Sequence, residues 1–341
     1  MSRLTLALDI MGGDFGPHII LPAALNSLIE NPNLYLVLCG PIDLLSKWYD
    51  KQDPFIQARL QLSDCQQTVS MDEAPIAALR NKKDSSMRRM LDLVERGEAD
   101  GCVSAGNTGA LLAMAYHVLK MLPGVHRPAL ISLMPTVDNG KAYLLDLGAN
   151  VDCDSEVLFQ YAVMGSVLAE LVGEIERPKV ALLNVGSEQN KGNDRVKNTA
   201  RMLGDTPSIH YIGYVEGNDI FSQKADVIVT DGFAGNIALK SCEGLTKLVL
   251  NEVKKASNLN WLNKILAKIA LPLLRNIYLR MNPDQYNGAS LIGLRGIVVK
   301  SHGNASSEAF LYAIREAVKE VSMQVPSKIK DKIEAVLMER H

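Results

Sequence analysis

Residues 4–14 read Leu4-Thr5-Leu6-Ala7-Leu8-Asp9-Ile10-Met11-Gly12-Gly13-Asp14, an apolar run that stops at a carboxylate and passes into two glycines. A run this short, closed by glycine, is the mark of a buried strand feeding a turn. The same pattern recurs at 34–38, 129–134, 143–147, 180–183, 210–215, 227–229 and 297–299. Longer segments of helical character separate many of these runs, at 17–29, 87–96, 110–121, 156–172 and 198–203. Strand alternating with helix predicts an α/β sandwich built on a largely parallel sheet. No repeat, low-complexity run or Pro/Ser-rich linker interrupts the alternation. Residues 1–341 therefore read as one domain, with a helical arm inserted at 244–283, where helical patterning continues around Pro272.

Composition narrows the class. Of 341 residues 47% are hydrophobic, enough for a large core. Lys plus Arg number 36 against 38 Asp plus Glu, a net charge of −2 that gives nucleic acid no general field to follow. The cysteines lack a C-x-x-C pair and the histidines lack H-E-x-x-H spacing, so buried thiols in a reducing cytoplasm and no metal site are expected. The N-terminal apolar run is too short for an export signal. The most apolar later stretch, 265–274, falls short of the roughly 20 residues a membrane span needs.

Five apolar runs lead into loops rich in Gly, Asn and Asp, at 9–14, 104–109, 146–150, 184–188 and 231–236. In a parallel sheet such loops share one edge, where glycine lets backbone approach a ligand and helix N-termini turn N–H groups toward anions. The expected site is an anion cradle assembled from several loops, each of which alone would be an ordinary turn. Neither G-x-G-x-x-G after the first strand, nor G-x-x-x-x-G-K-[ST], nor G-x-S-x-G is present. Dinucleotide, P-loop nucleotide and serine-hydrolase readings lose their usual support.

Taken in order, ALDIMGGD (7–14), NKKDSSM (81–87), SAGNTGALL (104–112), RPAL (127–130), LLDLGANVD (144–152), YAVMGS (161–166), LLNVGSEQNKGN (182–193), VTDGFAGN (229–236) and GASLIGLRGIVVKSHGNAS (288–306) resemble the successive signatures of the phosphate acyltransferase family. They span nearly the whole chain. Ile10 stands where that family usually has a small residue, and Asn287 where a second glycine commonly precedes Gly288, but neither change removes a polar group from the loops. The resemblance implies a three-layer α/β/α sandwich, Rossmann-like and similar to the isocitrate dehydrogenase and phosphotransacetylase folds. It implies a homodimer that moves a long-chain acyl group from acyl carrier protein to inorganic phosphate without a cofactor, making acyl phosphate for glycerophospholipid synthesis. It further implies a cytoplasmic protein attached peripherally to the inner face of the plasma membrane, beside the membrane glycerol-3-phosphate acyltransferase that consumes acyl phosphate. Phosphate can itself attack the thioester, so no enzyme nucleophile is required. The leaving thiol, with a pKa of about 8.5 if it resembles cysteine, needs little help in departing. What remains for the protein is to hold two partners and steady an oxyanion.

Lys191 and Asn236 are the first candidates for that oxyanion, and His302 is a candidate proton shuttle or phosphate donor. Asp9, Gly12, Gly13, Asp14, Ser104, Gly106, Asn107, Thr108, Asn150, Asn184, Asp231 and Gly235 are expected to line the cradle. Lys82 and Lys83 precede a helix N-terminus and suit phosphate or the acidic surface of acyl carrier protein. The plain alternatives are a solvated Lys191, a helix-capping Asn236, a structural His302, and a capping loop in which Ser85 or Ser86 is the cap.

Between Val253 and Pro283 there is no acidic residue, yet Lys254, Lys255, Lys264, Lys268, Arg275 and Arg280 are present. On a helix Leu262, Ile265, Leu266, Ile269 and Leu273 share one face while Asn260, Lys264 and Lys268 lie opposite, the pattern of an interfacial amphipathic helix. The arm is expected to meet a membrane surface, a partner subunit or both. Two rival readings stay open: a dehydrogenase on the same fold, which needs a nicotinamide site and usually a divalent metal, and a non-catalytic membrane-associated scaffold for acyl carrier protein.

Overall fold

In the computed structural model residues 3–258, 270 and 283–340 are described. Strands β1 (Leu4–Asp9), β2 (Leu34–Gly40), β3 (Leu60–Asp64), β4 (Gly101–Ser104), β5 (Ala129–Pro135), β6 (Lys141–Leu145), β7 (Val180–Leu183), β8 (Tyr211–Val215), β9 (Val227–Val229), β10 (Ala289–Ile292) and β11 (Ile297–Lys300) form one sheet. Its order is β3-β2-β1-β4-β11-β10-β5-β6-β9-β7-β8. The helices are α1 (Pro17–Glu30), α2 (Ile42–Tyr49), α3 (Pro54–Gln57), α4 (Pro75–Asn81), α5 (Ser86–Glu95), α6 (Thr108–Leu119), α7 (Ser155–Leu171), α8 (Asp194–Gly204), α9 (Gly232–Asn258), α10 (Ser307–Ser322) and α11 (Val325–Glu339).

Alternation along β1 distributes these helices over two faces. Leu4, Leu6 and Leu8 point to α1 and α10, whereas Ala7 points to α5 and α6. On the other half of the sheet Tyr143 and Leu145 pack beneath α7 and α11, while Ala142 and Leu144 face α9. Helix α7 is buried on all sides from Val157 to Ala169, which explains a sequence apolar around its whole circumference. A Cβ on its Gly165 would stand 2.8 Å from Val227, so glycine there lets the helix settle onto β9. Each Leu, Ile, Val or Phe buried in these layers contributes roughly 1.5–3 kcal/mol.

The sheet is less parallel than the sequence pattern predicts. β3, β2, β1, β4 and β11 run one way. Then β11 to β10, β10 to β5 and β5 to β6 are each antiparallel, and β6, β9, β7 and β8 are parallel to one another. Three reversals leave the second parallel block pointing opposite to the first. The cause is loop length: residues 136–140 join β5 to β6 and residues 293–296 join β10 to β11, connections that permit only antiparallel neighbours. The glycine loops therefore do not share one edge, as expected from a parallel sheet. Loops 9–14 and 104–109 leave one edge, with 301–304 beside them, and loops 146–150, 184–188 and 231–236 leave the other.

Of the proposed arm, residues 244–258 continue α9 without a break, exposing Leu245, Leu248, Val249 and Val253. Leu262, Lys264, Ile265, Leu266, Lys268 and Ile269 lie outside the described residues. Among the described residues no helix is long and apolar enough to cross a membrane.

Candidate active site

At the first edge, three adjacent strands end in polar residues that are all buried: Asp9, Ser104 and Lys300. Leu8 pairs with Val103 and Lys300 with Ser104, so the three form a row on the α5–α6 face. Ser86 Oγ donates to one Asp9 oxygen at 2.5 Å and Ser104 Oγ to the other at 2.7 Å, while Gly106 N–H donates to Ser104 Oγ at 3.0 Å. Lys300 Nζ donates to Ala105 O at 3.3 Å and to Ser301 O. Burial pushes the Asp9 carboxyl up against the pull of these hydroxyls. Burial brings the Lys300 ammonium down to about 8, although Asp9 and Asp14 favour its charge.

Glycine lets the loops above this row close on each other. A Cβ on Gly13, at φ 83°, would lie 2.7 Å from Gly303 O, and one on Gly12 would lie 2.8 Å from Gly106 N. Asp14 N–H donates to Gly303 O at 2.8 Å, leaving the Asp14 side chain exposed. His302, 47% exposed, stands with Nε2 3.8 Å from Glu243 Oε1 of α9. Burial, together with Lys300 and Lys240, lowers its pKa, so the ring is neutral near pH 7.

Asn107 caps α6 by accepting from Ala110 N–H, and its amide donates to the carbonyls of Ser70, Met71 and Glu73. That side chain is fully committed to loop 70–73. Thr108 is exposed at the start of α6. Lys82 lies 4.0 Å from Glu73 and Lys83 is exposed, both outside the Asp9 row. Ser85 is the cap of α5, accepting from Arg88 N–H at 3.2 Å, while Ser86 belongs to Asp9.

At the opposite edge Asp146, fully buried, accepts from the N–H groups of Leu130, Gly148, Ala149 and Asn150 at 2.7–3.2 Å. The Asn150 amide donates to Pro128 O, Asp146 and Tyr161 Oη, so it too is spent on the loop. Asp231 caps α9 through Ala234 N–H at 2.8 Å and accepts from Arg195 Nη2 at 2.7 Å. Arg195 also reaches Asp152 and Cys153 O, tying three loops together. Asn184 donates to Gly186 O and Lys191 O, shaping the turn on which Lys191 stands. Lys191 is exposed, its stem resting over Gly186. Gly235 approaches so closely that a Cβ would meet Asp146 O at 2.0 Å, and Asn236 then packs against Gly148.

Helix α9 links the two edges. Asn236, Lys240 and Glu243 follow one stripe, and at about 1.5 Å per residue only about 10 Å separates the first from the last. Asn236 is at the Gly148 loop while Lys240 and Glu243 act on His302. Glu243, which meets His302, therefore lies two turns along the helix from Asn236, and Arg195, four residues after Lys191, is bonded to Asp231 at the start of that helix. Exposed apolar side chains accompany these loops: Phe15, Met71, Val151, Val185, Phe233 and Ile237 are 41–79% exposed. Lys300, Arg195 and Lys240 escape sequence reasoning. A lysine closing the buried run Ile297-Val298-Val299 is the signal that marks the first, whereas nothing local marks Arg195.

A family model described as "Fatty acid synthesis protein" matches residues 4–328. The chain is 62% identical over 340 residues to a phosphate acyltransferase of Pseudoalteromonas atlantica, covering 100% of both. It is 54% identical over 339 residues to one of Colwellia psychrerythraea, covering 98% of this chain and 97% of the relative. Among solved structures, a phosphotransacetylase from Streptococcus pyogenes matches with TM-score 0.64 at 18% identity over 94% of each chain. A branched-chain phosphotransacylase from Enterococcus faecalis gives TM-score 0.60 at 14% identity, covering 94% of this chain and 100% of that one. These two share its fold. With the family model spanning residues 4–328 and relatives aligned end to end, the chain belongs to the phosphate acyltransferase family, enzymes that transfer an acyl group to phosphate.

Proposed function

We propose that this enzyme takes a long-chain fatty acyl group from the thioester of acyl carrier protein and gives it to inorganic phosphate, making acyl phosphate for glycerophospholipid synthesis. One observation carries the reading: exposed apolar side chains stand beside the candidate polar groups, Val185 on the loop of Lys191, Phe233 and Ile237 flanking Asn236 at the start of α9, and Met71 against Gly303 next to His302. Cations and amides suit a phosphate and an oxyanion, whereas open apolar side chains beside them suit an acyl chain. A phosphate oxygen attacks the thioester carbonyl, the tetrahedral oxyanion collapses, and the thiolate leaves, so each bond is made and broken between the substrates. Lys191 and Asn236 steady the oxyanion, and His302, neutral in the resting site, takes the proton from the attacking hydrogen phosphate and passes it to the departing thiolate, which leaves as the thiol.

The exposed continuation of α9 and the basic sequence beyond it support a homodimer that lies peripherally on the inner face of the plasma membrane, where the membrane acyltransferase receives its acyl phosphate. Hydroxylamine trapping tests the reaction. Purified protein with palmitoyl-acyl carrier protein and phosphate is expected to yield acyl hydroxamate only when phosphate is present. Folded protein that yields none refutes the reading.

A further inference from the structure

The row Asp9–Ser104–Lys300 is more than the fold requires. Apolar residues would end these buried strands at lower cost, since a buried charge must recover a large desolvation penalty from its partners. Asp9 returns part of that penalty by favouring the ammonium, but its oxygens accept from Ser86 and Ser104 and not from Lys300. An ammonium carries three N–H donors. Two go to Ala105 O and Ser301 O, and no described residue receives the third. The ammonium sits at the carboxyl ends of β1, β4 and β11, under loops closed by Gly13 and Gly303 and beside His302.

We infer that Lys300 binds the attacking phosphate, its third N–H taking a phosphate oxygen while the Asp9–Ser86–Ser104 set fixes the row beneath it. The inference rests on phosphate being the acyl acceptor. A cation held away from water attracts a dianion far more strongly than a neutral thioester carbonyl, so Lys300 favours phosphate over the acyl donor. The charged groups facing Lys300 are Asp9 from β1, Asp14 from the following loop and Lys240 from α9, with His302 on its own loop. Asp9 and Asp14 favour its proton and Lys240 opposes it. Burial prevails and brings its pKa to about 8, so phosphate binding carries a proton linkage in the range where an exposed lysine has none.

Sulfate, a dianion across the whole range, serves as a competitive probe. Its inhibition constant is expected to stay level below about pH 7 and to rise about tenfold per pH unit above about 8, as Lys300 loses its proton. Lys300→Met is expected to raise the sulfate constant and the phosphate KM at least tenfold at pH 7, flatten the pH profile and leave the acyl-donor KM within twofold. Lys300→Arg is expected to restore part of the phosphate affinity and carry the profile past pH 10. A sulfate constant level to pH 10 in the unaltered enzyme overturns the inference even if Lys300→Met does not fold. So does an Lys300→Met enzyme whose two KM values move together. If the unaltered enzyme makes no acyl phosphate, the functional reading fails instead, and sulfate protection against thermal unfolding, followed over the same pH range, still decides whether Lys300 binds the anion.

Discussion

Glu320 of α10 is the most informative single residue to neutralise. It is wholly enclosed, with Ser290 of β10 as its hydrogen-bond partner and Glu316 one turn away adding like charge. Burial and Glu316 push its pKa up to about 8 from 4.5. In the folded protein the carboxyl is neutral at pH values where the unfolded chain has already released the proton. Stability is therefore lost as pH rises from 4.5 toward 8 and does not fall further above that. At about 1.36 kcal/mol per pH unit, the interval from 4.5 to 7.5 costs about 4 kcal/mol. Glu320→Gln keeps the shape and a bond to Ser290 and removes that cost. With about 2.1 cal/mol/K of unfolding entropy per residue, 341 residues give about 0.7 kcal/mol/K, so the variant should melt about 6 °C higher at pH 7.5. At pH 5 the expected advantage is under about 1 kcal/mol. Calorimetry of both proteins at the two pH values reads the difference directly. An equal gap at pH 5 and 7.5, or a variant that is less stable at 7.5, refutes the reasoning.

Three further outcomes follow from particular contacts. Lys191→Ala and Asn236→Ala should each lower kcat about 10²–10³-fold in the hydroxamate assay, with the melting temperature of Lys191→Ala unchanged because that side chain is exposed. Gly235→Ala forces a Cβ to within 2.0 Å of Asp146 O, so α9 must shift off the β6 end, and urea denaturation should show a loss of about 1–3 kcal/mol or more. Arg195→Gln removes the cation shared by Asp231 and Asp152 and should cost about 1–3 kcal/mol in the same measurement, while Asp231→Asn, which keeps the cap on α9, should cost less.

The eight strands that sequence periodicity marks are present, because each is a short run dominated by apolar residues, with at most one or two interruptions such as Thr5, Ser132 or Gly213. Those it misses are short or half-polar. β3 reads Leu60-Gln61-Leu62-Ser63-Asp64 at the sheet edge, and β4 begins with glycine and ends with serine. The direction of the strands is a different matter. Buried strands look alike whichever way they run, and only the brevity of 136–140 and 293–296 carries the information that the sheet reverses. Candidate residues were legible as loop composition, but their employment was not: Asn107, Asn150 and Asn184 spend their amides on carbonyls distant in sequence or across a turn. Lys300 and Arg195 take their meaning from neighbours on other elements, which no local window contains.

The reversal of the sheet has a consequence for catalysis. Two parallel blocks pointing opposite ways put strand-end loops on opposite edges, and a two-substrate transfer needs contacts from both at a single reacting centre. Helix α9 resolves the conflict because it starts at the Asp231 loop of one edge and, about three turns on, faces His302 of the other. A rigid helix fixes that separation better than a loop would. It also sorts the chemistry by position: the Lys300 row offers a dry, rigid seat for a small dianion, while Phe233 and Ile237 on the open side of α9 offer apolar surface along which a chain can lie. On the proposed reading Asn236, next to Ile237 in the first turns of that helix, serves the oxyanion formed when phosphate enters from one edge and the thioester from the other.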